Sequence, residues 1–101
     1  LAWAKGDASA ANNIGSLYQY GRGVTTDASE AMRWYRIGYE GGNAGAAYNI
    51  GFLYERGIGV ERDLTEARRW YELAAERGDP PARQRLKSWA KESSLPTSEA
   101  Q

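Results

Sequence analysis

Displaced by 36 positions, the chain falls onto itself: Gly15 meets Gly51, Gly21 meets Gly57, Asp27 meets Asp63 and Trp34 meets Trp70. Between residues 7–42 and 43–78, 19 of the 36 positions are identical, more than a shared composition supplies. A period of this length marks units too small to bury a hydrophobic face alone, so each must bury it against the next. The period therefore predicts an open-ended stack of similar units rather than a closed globule.

Within each unit the apolar residues have helical spacing. Ala10, Ile14, Leu17 and Tyr18 form one stripe, and Ala31, Trp34, Tyr35 and Gly38 form another, in the i, i+3, i+4, i+7 pattern. Each unit is thus a pair of helices, A and B. Helix A runs over about residues 8–20 and is ended by Gly21 and Gly23, a stop that Gly57 and Gly59 repeat, because glycine takes the left-handed conformation that closes helices. Helix B opens at Asp27 or Asp63, with Glu30 or Glu66 three residues on, the pattern of a capping box. Gly42 and Gly78 end it, and seams this short force consecutive helices to lie antiparallel. Gly15 and Gly51 sit inside helix A, where glycine costs about 1 kcal/mol against alanine; close approach of helix B is the expected compensation. The fold class is all-α, an α-solenoid of antiparallel helix pairs, with Trp34-Tyr35 and Trp70-Tyr71 packing in its core.

The ends are read by alignment to the repeat. Residues 1–6 match 37–42 and are expected to be the end of a truncated preceding helix B. Repeat 1 covers 7–42 and repeat 2 covers 43–78. Asp79-Pro80-Pro81 places a cap before a proline and opens a C-terminal capping helix over 79–91, in which Arg83, Arg85 and Lys87 replace Ala47, Asn49 and Gly51. Residues 92–101, rich in Ser, Pro, Thr and Glu, are expected to be a disordered tail. Weak self-association is expected through Leu1, Trp3 and the N-terminal side they leave uncovered.

Composition narrows the chemistry. Cys and His are both absent, which removes thiol nucleophiles, disulfides, the commonest general base and the commonest zinc ligands. No cofactor and no metal site is expected. Thirteen basic and 13 acidic residues leave no net charge, and although 62–91 is slightly basic, its carboxylates interleave with the cations, so nucleic acid is not the expected partner. The longest uncharged stretches are 14 residues, too short to span a bilayer, so membrane insertion is not expected. The Gly-x-Gly pairs follow no strand and precede no Gly-Lys-Ser/Thr, so they are turns, not phosphate loops. Carboxylates such as Glu61, Asp63 and Glu66 could in principle form an acid and base pair, but capping explains Asp63 and Glu66 better.

The order Ile14-Gly15, Leu17-Tyr18, Gly21, Gly23-Val24, Asp27, Ala31, Trp34-Tyr35, repeated from Ile50 to Tyr71, resembles the Sel1-like repeat, a relative of the tetratricopeptide repeat. The resemblance implies a right-handed superhelix and an adaptor that organises other proteins. It is common in bacterial secreted or periplasmic systems and in eukaryotic membrane-protein degradation or signalling. The cysteine-rich branch, with its disulfides and proposed β-lactam activity, is not implied.

Where tetratricopeptide helices line their groove, this chain has Ser9, Asn12, Ser16, Gln19 and Tyr20, then Gly45, Tyr48, Phe52, Glu55 and Arg56, then Gln84, Ser88 and Lys91. All five positions differ between the two full copies, as expected if the scaffold is fixed and the groove specialises. The candidate partner-binding residues are Asn12, Gln19, Tyr20, Tyr48, Phe52, Glu55 and Arg56, contacting a protein or peptide through the concave helix-A face. Three other readings stand beside this one: Phe52 packs between repeats, the chain is a structural end of a longer solenoid whose binding site lies upstream, or it is a small-ligand or enzymatic domain.

Overall fold

In a computed structural model that describes residues 7–94, the described residues form five helices, α1 (Ala8–Tyr20), α2 (Ala28–Glu40), α3 (Ala44–Arg56), α4 (Leu64–Glu76) and α5 (Pro80–Ser94). No strand occurs among the described residues. The all-α solenoid is the architecture observed: α1 with α2 is one A/B pair, α3 with α4 the next, and α5 is a further helix A. Residues 1–6, and with them Leu1 and Trp3, lie outside the described residues, as do 95–101.

Side-chain caps start every helix where the repeat places them. Asp7, Asn43 and Asp79 accept the N–H groups of Ala10 (3.0 Å), Ala46 (2.9 Å) and Ala82 (3.0 Å). Asp27 and Asp63 accept those of Glu30 (3.1 Å) and Glu66 (3.0 Å), each cap being worth about 1 kcal/mol. Only this half of the expected capping box is made. The N–H groups of Asp27 and Asp63 donate instead to Tyr18 O (2.9 Å) and Tyr54 O (3.0 Å) of the preceding helix, and the glutamates turn outward to Arg33 and Arg69.

The stops are equally regular. Gly21 and Gly57 both take φ 68°, and each closes its helix with an N–H to Leu17 O or Leu53 O. At the same register α5 has Ser93 rather than glycine, so no left-handed cap forms. The helix runs on to Ser94, past the end expected at residue 91, and the rest of the expected tail lies outside the described residues.

Alanine and tyrosine carry the core. Ala11, Ala31, Ala46, Ala47, Ala67, Ala74 and Ala82 are fully buried, with Ile50, Leu53 and Tyr71. The small residues let helices close up, and the rings fill what remains. Gly15 and Gly51 are where this is tightest: a Cβ there would lie 2.6 Å from the Tyr35 ring and 2.8 Å from the Tyr71 ring. Close approach of helix B is thus the reason for both helical glycines. Between repeats, Tyr39 meets the Trp70 ring edge-on at 5.1 Å. Arg77 lies 4.1 Å over Tyr39 and donates to its carbonyl at 2.7 Å. Trp70 is buried as expected, whereas Trp34 is half-buried.

Candidate functional site

Five of the seven candidate residues lie on helix-A positions that the structure leaves partly covered: Asn12, Gln19, Tyr48, Phe52 and Glu55 are half-buried, while Tyr20 and Arg56 are exposed. The buried stripe of α3 is Ala46, Ile50 and Leu53, and Tyr48, Phe52 and Glu55 stand off it, as helical geometry requires.

Three of the seven are occupied by the scaffold itself. Asn12 accepts a hydrogen bond from Asn49 Nδ2 at 2.9 Å, across the seam between repeats. Gln19 Oε1 accepts the Tyr35 hydroxyl at 2.5 Å. Glu55 Oε1 accepts the Tyr71 hydroxyl at 2.7 Å. Gln19 and Glu55 therefore hold the same post, 36 residues apart: each fixes the hydroxyl of the tyrosine whose ring lies on the helical glycine. Burial pushes both tyrosines' pKa up, with the Glu55 carboxylate adding to the effect at Tyr71. Both hydroxyls stay protonated donors across ordinary pH.

Glu55 is tied twice. Arg85 of α5 donates Nε to Glu55 Oε1 at 3.2 Å and Nη2 to Glu55 Oε2, so one carboxylate joins α3, α4 and α5. Burial works to raise the Glu55 pKa, but the hydrogen bonds from Arg85 and Tyr71 outweigh it and hold the carboxyl below its usual range. The same bond raises the guanidinium pKa of Arg85. The side chain of Glu55 retains 11% of its exposure, too little to serve as a free recognition group.

The aromatics divide in an unexpected way. Tyr48 packs on the core, its ring 5.2 Å from that of Tyr71, with Trp89 meeting Tyr71 from α5 at 5.4 Å. Phe52 instead lies beneath the Arg56 guanidinium, 5.3 Å from ring centre to cation. Tyr20 is 56% exposed and carries Arg22 over its ring at 5.2 Å. Tyr20, Phe52 and Arg56 thus stand outside the hydrogen-bonded scaffold, with Tyr48 half-buried against the core. The structural motif glycines and aspartates all serve turns, caps or close contacts, and Glu66 pairs with Arg69 at 3.5 Å while Asp63 caps α4, which leaves Glu61 without an acid or base companion from that set.

Tyr35, Tyr71, Asn49, Arg85 and Trp89 complete this face and were not among the expected residues. A signal for two of them was present: Gln19 and Glu55 are both acceptors, and both lie 16 residues before a tyrosine. Arg85 occupies the register of Asn49, the residue that bridges to Asn12 one repeat earlier, so the same lattice position makes the seam contact in both places.

A stack of A/B helix pairs with glycine-dependent contacts and a 36-residue period defines the helical-repeat solenoids. The Sel1 repeat family model matches residues 8–43 and 44–79, and the chain belongs to that family. Its repeats share a tetratricopeptide-like fold and generally serve as protein-interaction scaffolds rather than enzymes. Among solved structures, the chain is similar to a Sel1 repeat protein from Oxalobacter formigenes (37% identity, TM-score 0.83, covering 89% of this chain and 37% of that one). It is also similar to c5321, a protective antigen present in uropathogenic Escherichia coli strains that displays an SLR fold (38% identity, TM-score 0.80, covering 87% and 19%). Cysteine-rich protein B from Helicobacter pylori shares the fold at 21% identity, with TM-score 0.69 over 74% of this chain and 56% of that one. The chain thus spans 37% and 19% of the first two proteins. No curated protein matches it significantly in sequence. No helix among the described residues is long and apolar enough to cross a membrane.

Proposed function

We propose that the chain is a non-enzymatic interaction module that binds a segment of a partner protein across the concave helix-A face. The observation that carries this reading is the Phe52 and Arg56 pair. A half-buried aromatic ring outside the core cluster, with a surface cation over its face, offers apolar area and charge together. Tyr20 supplies a second exposed ring. Asn12, Gln19 and Glu55 belong to the scaffold under this face, and Tyr48 forms part of its floor.

A photo-crosslinking amino acid at position 52, compared with one at exposed Arg33 on α2, tests the reading in extracts of the source cell. The partner captured only from position 52 is then titrated against purified variants. Phe52→Ala and Arg56→Ala are expected to weaken it at least about thirtyfold in the case of a 2 kcal/mol hot spot, with unchanged melting. Tyr48→Ala is expected to lower affinity and melting temperature together. Equal crosslinking at 33 and 52, or full affinity in Phe52→Ala, overturns the reading. A second reading rests on the chain's short span of its relatives: the segment is one end of a longer solenoid whose contact surface lies elsewhere. In that case Phe52→Ala is silent even when placed in the longer protein.

A further inference from the structure

The repeat arithmetic carries past repeat 2 to a groove that the helix-A face does not include. Between α4 and α5 lies an open groove of about 440 Å³, walled by Arg68, Glu72 and Ala75 on one side and Arg83, Leu86, Lys87 and Ala90 on the other. Subtracting 36 from these numbers gives Met32, Arg36 and Tyr39 on α2, then Ala47, Ile50, Gly51 and Tyr54 on α3. That earlier groove is filled by a helix. α4 lies in it, with Trp70 on Tyr39 at 5.1 Å and the Tyr71 ring on Gly51. The groove after α4 is therefore helix-shaped by construction.

Two substitutions keep another repeat of the same kind from closing on it. Lys87 stands where Gly51 stands, and there even a Cβ would lie 2.8 Å from the incoming tyrosine ring. Leu64 is 46% exposed and stands where Ala28 stands, the residue on which the Gly59 turn of the following repeat closes. A helix seated here rides higher, over Ala75, Leu86 and Ala90. Its flanks then face Arg68, Arg83 and Lys87. Of the groove's residues only Glu72 is acidic, and it is already paired with Arg68 at 3.4 Å. Arg83 is anchored beside the groove by its Nε, which donates to Ala75 O at 3.2 Å, and neither it nor Lys87 meets a carboxylate among the described residues.

We infer that the α4/α5 groove is a second docking site, and that its occupant is an acidic amphipathic helix of a partner protein, apolar residues on Leu86 and Ala90 and carboxylates on Arg83 and Lys87. A second copy of this chain does not supply such a helix, since the exposed faces of α2 and α4 carry arginines among their glutamates. The interaction combines helix-in-groove packing with charge complementarity. It is independent of Phe52 and the helix-A face.

The probe is a fluorescein-labelled helical peptide of about 15 residues, with leucines at i, i+3, i+4 and i+7 flanked by glutamates, and a control in which every glutamate is lysine. Anisotropy titration of the full chain is expected to show binding of the acidic peptide at least tenfold tighter than of the basic one. Raising salt from about 0.05 to 0.5 M weakens it. Arg83→Glu with Lys87→Glu, compared with the parent after its melting temperature is measured, is expected to abolish the tenfold preference, whereas Phe52→Ala leaves it intact. Amide shifts on binding should centre on residues 75, 86 and 90. The inference is overturned by equal binding of both peptides, by full affinity in the double variant, or by shifts centred on residue 52. It is also overturned if Lys87→Glu instead abolishes self-association or binding to anionic vesicles while peptide affinity is unchanged.

Discussion

Gly51→Ala adds one carbon at the tightest point of the fold, and the sign of its effect separates two arguments that normally oppose each other. In a helix, alanine is favoured over glycine by about 1 kcal/mol. Here the added Cβ lies 2.8 Å from two carbons of the Tyr71 ring and 3.1 Å from the Ala67 carbonyl oxygen, well inside the 3.5 Å or so at which carbons pack without repulsion. Tyr71 cannot swing away. It is fully buried, its hydroxyl is held by Glu55 at 2.7 Å, and Tyr48 and Trp89 flank its ring at 5.2 and 5.4 Å. Overpacking of this kind costs about 1–3 kcal/mol; with the Tyr71 ring pinned on every side the upper part of that range, about 2–3 kcal/mol, applies, and subtracting the propensity gain of about 1 kcal/mol leaves a loss of about 1–2 kcal/mol. That corresponds to about 5–15 °C in melting temperature for a domain of this size. Urea denaturation with an unchanged slope is the measurement. In a Tyr71→Leu background the ring is gone and the same substitution should become neutral or stabilising. A Gly51→Ala midpoint equal to or above the parent's, or the same loss in both backgrounds, refutes the close-contact argument.

Glu55 predicts an acid dependence with a definite sign. Its carboxyl is held below the usual range when folded, so its stabilisation is present above the unfolded value of about 4.3 and is lost as pH falls through the folded pKa; Glu55→Gln should flatten the fall in urea midpoint below about pH 4.5, and an unchanged profile would remove Glu55 from the linkage. Glu55→Ala leaves the Tyr71 hydroxyl without its acceptor and should cost about 1–3 kcal/mol by urea titration. Asp27→Ala and Asp63→Ala should each cost about 1 kcal/mol, but Glu30→Ala and Glu66→Ala clearly less, because the reciprocal half of the box is not made; equal losses would contradict that asymmetry. Trp70→Phe should be close to neutral in thermal melts, because the buried Trp70 Nε1 has no hydrogen-bond partner among the described residues and its removal offsets the smaller ring.

The fold was legible because its determinants are local and repeated. Caps at Asp27 and Asp63, left-handed stops at Gly21 and Gly57, and alanine stripes are each specified within a few residues, and recurrence at 36 makes each observation twice. The end of α5 carries no such local signal: the register that holds Gly21 and Gly57 holds Ser93, and the helix continues to Ser94 although the composition turns to Ser, Pro and Thr.

The helix-A face was only half legible, and the reason is physical. Difference between repeats was read as freedom to specialise, but a position can vary while its task stays fixed, provided both residues present the needed atom. Gln19 and Glu55 show this: both offer an oxygen to a tyrosine hydroxyl. Yet the change from amide to carboxylate creates something new in the second repeat. The Gln19 amide oxygen accepts the tyrosine hydroxyl, whereas the Glu55 carboxylate, with a second oxygen and a charge, also recruits Arg85 from the next helix; one repeat earlier the Asn12–Asn49 bond makes the seam contact without charge. Side-chain reach of this kind depends on the distance between helices and cannot be read from spacing along one of them. Phe52 and Arg56 are different: they offer no atom that matches one on their counterparts Ser16 and Tyr20, and their contact is a cation over a ring rather than a hydrogen bond into the scaffold.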